Sequence, residues 1–155
     1  MITIRLVKHP GPFQVAVQIA QYGFWASHCD ALMPDGDLLG ARFIGGVQSR
    51  PGDYDKGGFT RQQFIRIPAS PGQTDAFHHF LHTQIDKPFD TFAILAFATQ
   101  RDWQSPDKWF CSELQAAGLV AAGIFPEHLA IGFARITPRD LLLLSSGMCE
   151  KEQNG

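Results

Sequence analysis

The stretch Lys108-Trp109-Phe110-Cys111-Ser112-Glu113-Leu114 constrains this chain most. Two aromatic residues lead into a thiol, and Ser112-Glu113-Leu114-Gln115-Ala116-Ala117 continues with good helix formers. The pattern predicts a helix that starts at Cys111, runs to Ala122 and ends at Gly123, with its body buried. The thiol then sits in the first turn, among free amides and at the positive end of the helix dipole. Such a position can lower a cysteine pKa from about 8.5 to as low as roughly 3.5. A free cysteine is more often a small buried hydrophobe, so Cys111 needs a partner before it implies chemistry.

The partner to seek is a histidine able to share the thiol proton. It stands far upstream, in Phe24-Trp25-Ala26-Ser27-His28-Cys29-Asp30-Ala31-Leu32-Met33. Gly23 precedes this run and the turn Pro34-Asp35-Gly36-Asp37 closes it, so it reads as a strand. Alternate residues of a strand share a face, which puts His28 and Asp30 together and turns Cys29 the other way, into the core. Asp30 could orient the His28 ring, the third role in a nucleophile-base-orienter set.

Ser27-His28 on a strand, followed much later by Phe110-Cys111-Ser112-Glu113-Leu114 at a helix start, resembles the circularly permuted NlpC-like branch of the papain-fold cysteine hydrolases. That branch includes the lecithin retinol acyltransferase relatives and places the histidine strand before the cysteine helix. Lys87-Pro88-Phe89-Asp90 resembles its Pro-Tyr-Asp element, with Phe in place of Tyr. The likeness covers about residues 20 to 145. It implies an α+β, papain-like fold: an antiparallel sheet with helices packed beside it and the cysteine at a helix N-terminus. It implies Cys111 as nucleophile, His28 as base, and substrates that are cell-wall peptides or acyl groups of lipids. It also brings phage and prophage proteins to mind. In many relatives the third polar residue lies on the strand after the histidine strand. Here that strand, Leu38 to Ile44, offers no acid, amide or histidine. Either Asp30 takes the role or the orienter is missing.

A chain of 155 residues fits one domain, expected over 1–146, with a polar tail at 147–155. Net charge is −2 and no basic stripe is visible, which argues against nucleic acid. Three cysteines at irregular spacing do not describe a disulfide framework. A reducing, cytoplasmic setting is expected, because the first ten residues lack a basic head and a long apolar run. No apolar run approaches the roughly 20 residues a membrane span needs.

Met1 to Lys8 alternates as a half-buried strand. Phe13 to Tyr22 fits both a helix and a strand, and the helix is preferred. Leu38 to Ile44 pairs with the histidine strand as a hairpin, residues 51–58 form a loop, and Phe64 to Ile67 alternate as a strand. Ser70-Pro71 and Thr137-Pro138 are helix starts, each with an N-cap hydroxyl and a proline in the first turn. Phe89 to Thr99 reads as a short buried helix, and Gln100 to Lys108 as a polar loop.

His78 and His82 share a helix face, but no nearby Glu or Cys completes a ligand set, so no metal is expected. Nor does the chemistry need an organic cofactor. Trp25, Ser27, Asp90, Ser112 and Glu113 are expected on the substrate side of the site. For Glu113 the simpler role is to complement the helix dipole, and for Asp90 to cap a helix. The expected function is hydrolysis of amide or ester bonds through Cys111 and His28, a peptidase or amidase. Two alternatives stay open. One is an acyltransferase on the same fold, favoured by an apolar groove near Trp25 and Trp103. The other is a degenerate module that binds a glycan, a lipid or a phage structural partner.

Overall fold

The structure is a computed structural model that describes residues 1–91, 107–127 and 136–148. Five strands form one antiparallel sheet: β1 (Ile2–Lys8), β2 (His28–Leu32), β3 (Leu38–Arg42), β4 (Gly46–Arg50) and β5 (Arg61–Ile67). Their spatial order is β4-β3-β2-β1-β5. Four helices accompany them among the described residues: α1 (Pro12–Ala20), α2 (Pro71–Thr83), α3 (Cys111–Ala121) and α4 (Pro138–Ser146). The fold is α+β.

Local chemistry explains the elements. Pro12, Pro71 and Pro138 each occupy a first turn, where the missing N–H would have no helical partner. Ser70 Oγ accepts from Gln73 N at 3.2 Å, and Ser70 N donates to Gln73 Oε1 at 3.0 Å. Thr137 and Asp140 make the same reciprocal pair at the start of α4. Residues 13–20 are helical, as preferred from the sequence. The histidine strand is shorter than expected: β2 begins at His28, and 24–27 lie outside it. Residues 46–50 form β4 and pair with β3 from Leu38↔Arg50 to Arg42↔Gly46. The expected helix from Phe89 falls mostly outside the described residues, and Phe89 itself forms a parallel bridge with Trp109. Trp103, His128 and Cys149 also lie outside them.

The two faces of the sheet carry different chemistry. On one, Ile2, Ile4, Leu6, Cys29, Ala31, Ile65 and Ile67 join the core with α2 and α3. Helix α3 is buried over Cys111 to Leu119, so it has no solvated face in its first two and a half turns. Gly118 makes close packing on α2 possible: a Cβ there would stand 2.9 Å from the Phe77 ring. The opposite face of β1 and β2 carries Arg5 and Asp30, paired directly across the strands. The turn-rich loop 51–58 folds over them and supplies Tyr54 and Asp55.

Candidate active site

The site forms where α3 begins against β2. Trp109 N donates to Pro88 O at 3.1 Å and Asp90 N to Trp109 O at 3.0 Å, which fixes the chain just before the helix. Glu113 Oε2 accepts from Phe110 N at 3.1 Å, and Leu114 N donates to Phe110 O at 3.1 Å. Cys111 therefore starts the helix, and its own amide has no intrahelical acceptor.

The Cys111 sulfur meets the side chain of His28 and both the thiol and the backbone amide of Cys29. His28 Nε2 lies 2.7 Å from Asp30 Oδ1, which leaves Nδ1 as the ring nitrogen for the sulfur. Asp30 is fully buried, and its Oδ2 accepts from Arg5 Nη2 at 3.0 Å and from the Tyr54 hydroxyl at 3.0 Å. A carboxylate removed from water in this way must be paired, and every one of these partners is a donor. Gly40 on β3 makes room for it, because a Cβ there would overlap Asp30 Oδ1.

The electrostatics follow from these contacts. Burial alone would raise the Cys111 thiol. The hydrogen bonds from Cys29 and His28 and the charge on His28 outweigh it, and the pKa falls to about 5. Burial would also lower His28, but the Asp30 carboxylate and then the Cys111 sulfur raise it to about 9. Asp30 is pushed up by burial and held far below the carboxylate range by His28 and Arg5. Cys29 goes the other way from Cys111: burial and the adjacent Cys111 push its thiol well up, so it keeps its proton and donates. Near neutral pH the site holds a thiolate, an imidazolium and a carboxylate in a row.

A second histidine stands beside this row. His9 Nε2 lies 2.9 Å from Asp55 Oδ2, and its ring centroid is 6.1 Å from that of His28. Asp55 also accepts from Arg5 at 3.0 and 2.8 Å, so Arg5 joins Asp30 to Asp55. Burial first, and then the charges on His28 and Arg42, keep His9 below its ordinary pKa. Its Nδ1 is buried and has no hydrogen-bond partner among the described residues.

A cavity of about 360 Å³ opens onto Cys111 and His28. Phe13, Phe43, Ile44, Phe89 and Phe110 give it an apolar wall, and His9, Ser27, Arg42, Arg50 and Tyr54 contribute polar groups.

The sequence-derived residues fall into two groups. Cys111, His28 and Asp30 are brought together, and Ser27 lines the cavity. Ser27 also braces the neighbouring strand end, where its Oγ accepts from His9 N at 3.0 Å. Trp25, Asp90, Ser112 and Glu113 do not line the cavity. Trp25 precedes β2 and stacks under Arg61, 4.1 Å from guanidinium carbon to ring centroid. Ser112 is fully buried and donates to Ile136 O at 2.5 Å. Burial, with Asp90 and Cys111 nearby, raises Glu113 to about 8 against the pull of the Phe110 amide. Cys29 is in the core as expected, yet facing away from His28 does not carry it away from Cys111. Arg5, His9, Tyr54 and Asp55 do not stand out in the sequence. An arginine inside an otherwise apolar alternation, Ile4-Arg5-Leu6, is the one available signal.

No protein-family model matches the chain, and no curated protein matches it. Among the described residues no helix is long and apolar enough to cross a membrane, and no group of three or more candidate ligands could hold a metal ion.

Proposed function

We propose that the chain is a thiol hydrolase of amide or ester bonds, of the permuted NlpC-like papain-fold kind. One observation carries the reading: a thiol at a helix start shares a cavity with a histidine whose Nε2 is held 2.7 Å from a buried carboxylate, an arrangement that lowers the thiol to about 5 and raises the ring to about 9. Strongly perturbed groups with specific partners in a cleft are a mark of functional sites. Cys111 thiolate attacks the carbonyl carbon and forms a tetrahedral intermediate. The amide of Cys111, at the unsatisfied end of α3, donates to the oxyanion. His28 gives its proton to the leaving amine or alcohol as the intermediate collapses to a thioester. It then takes a proton from the water that attacks the thioester, and Cys111 leaves as thiolate. Asp30 holds the ring so that Nδ1 faces the sulfur.

A second reading is acyl transfer, in which an amine or alcohol replaces that water. The apolar wall of Phe13, Phe43, Phe89 and Phe110 favours it, since it suits an acyl chain and a dry site.

The test is alkylation by iodoacetamide across pH. Cys111 labelling is expected to rise through about pH 5, where its thiolate forms, and to outpace Cys29 and Cys149 at pH 6. His28→Ala should remove most of that advantage. Equal labelling of the three thiols at pH 6 would sink the enzyme reading and leave a binding module. Turnover of a chromogenic ester should follow a bell between about 5 and about 9, because it needs both thiolate and imidazolium.

A further inference from the structure

The cavity carries two arginines that form no ion pair with the described residues. Both carboxylates beneath it are engaged: Asp30 with His28, Arg5 and Tyr54, and Asp55 with Arg5 and His9. Arg42 and Arg50 line the cavity together with Cys111. Among the described residues neither has a carboxylate at ion-pair distance.

The two arginines differ. Arg50 Nη1 donates to Gly40 O and Gln48 O at 3.2 and 3.3 Å, and Nη2 to Gly46 O and Ile44 O at 3.2 and 3.5 Å. It clasps the β3–β4 hairpin through carbonyls, and these carry no net charge. The Arg42 guanidinium makes no hydrogen bond to the described residues. Its guanidinium carbon stands 5.0 Å from the Tyr54 ring centroid, and that of Arg50 stands 5.8 Å from the same ring. Arg5, paired with Asp30 and Asp55, stands 5.6 Å from the same centroid, so three cations share one phenol whose hydroxyl is committed to Asp30. Burial, and then the charge on Arg42, hold Arg50 below its ordinary pKa despite Tyr54 and Asp30. The two arginines repel each other, and an anion between them would relieve that. The opposite wall is apolar, and at the rim Phe43 and Ile44 are 56% and 83% exposed.

We propose that Arg42 is the anion anchor of this cavity, and that the acyl group delivered to Cys111 carries an oxyanion, a carboxylate or a phosphate, beside an apolar body. The assignment builds on the thiol hydrolase reading and narrows its substrate. A planar fork of donors suits either oxyanion. Arg42 is a specificity residue here: it binds the far end of the substrate and takes no part in bond making.

Iodoacetate and iodoacetamide test it, because they alkylate the same sulfur and differ in charge. The measurement is made at pH 7 on the full chain. Arg42→Gln is expected to slow iodoacetate at Cys111 about fivefold and to change iodoacetamide by less than about twofold, the size of one lost charge at short range in a partly screened site. Arg42→Lys should keep the iodoacetate rate. Arg66→Gln, at an exposed position of β5, makes the same change in net charge and should leave both rates alone. Equal slowing of both reagents by Arg42→Gln, or none, overturns the anchor. Failure of the hydrolase reading looks different, since neither reagent would then prefer Cys111 in the unaltered chain. Thermal shift with glutarate and with inorganic phosphate gives a second measure. A shift lost in Arg42→Gln supports the anchor and tells carboxylate from phosphate. No shift with either ligand counts against it.

Discussion

Cys29 and Cys111 show how one residue type takes opposite roles a few ångströms apart. Both are buried and free. Cys111 meets a cationic ring and two donors, one of them the Cys29 thiol itself. Cys29 meets burial and the negative charges of Cys111 and Asp30, so its proton stays. If the donated hydrogen bond matters, Cys29→Ala should move the pH midpoint of Cys111 alkylation upward, and Cys29→Ser should restore it. A hydrogen bond to a charged group contributes about 1.5–3 kcal/mol, which is about one to two pH units at this sulfur. An unchanged midpoint in Cys29→Ala would show that His28 and the helix alone hold the thiolate. The side chain of Asp30 is equally particular. It reaches the His28 ring only because the facing position on β3 is Gly40, so the acid missing from that strand and the acid present on β2 occupy the same space. In the sequence these are two separate facts, and nothing there shows that one permits the other.

Among the elements, the start of α3 bears on whether Glu113 belongs to the chemistry. Its carboxylate caps the Phe110 amide and is raised to about 8 by burial, Asp90 and Cys111. An acid whose folded pKa is raised adds stability at low pH and loses it as pH rises. The unfolded chain ionises at about 4.3, while the folded one waits until about 8. Glu113→Gln keeps a cap and removes the titration. It should therefore gain stability relative to the unaltered chain as pH rises from about 4.3, and level off above about 8, in urea unfolding. A gap that stays flat with pH would show that Glu113 is ionised at all these values. The elements are legible where their signals are local. A hydroxyl with a proline after it marks α2 and α4, and the helix at Cys111 follows from its run of helix formers. What the sequence withholds is the pairing. β1 lies between β2 and β5, and the register that sets Arg5 against Asp30 joins residues 25 apart. The loop at 51–58 has the composition of a spacer, which hides Tyr54 and Asp55. Trp25 is expected at the site because its run reads as a strand that starts well before His28, where β2 begins.

For the molecule as a whole, the chain of charges from His28 through Asp30 and Arg5 to Asp55 and His9 joins two strands and a loop beneath the cavity. Asp30 and Asp55 are both held below their ordinary values, against burial, by His28 and Arg5 and by Arg5 and His9. Their contribution is therefore present above about 3.9, the ordinary Asp value, and is lost as pH falls through their folded values. Asp55→Asn should unfold more easily than the unaltered chain at neutral pH, by about 1.5–3 kcal/mol, because Arg5 loses one charged acceptor and keeps Asp30. The two should converge in acid, where the native carboxyl is protonated as well. Parallel stability curves down to about pH 2 would contradict this. Heat acts on the same cluster in the opposite sense. Hydrated ions become less favourable as temperature rises, so charges already stripped of water give up less by staying together. The foundation under the cavity should thus tolerate warm conditions better than sour ones, and a preparation that survives a heating step can still be ruined by an acidic buffer.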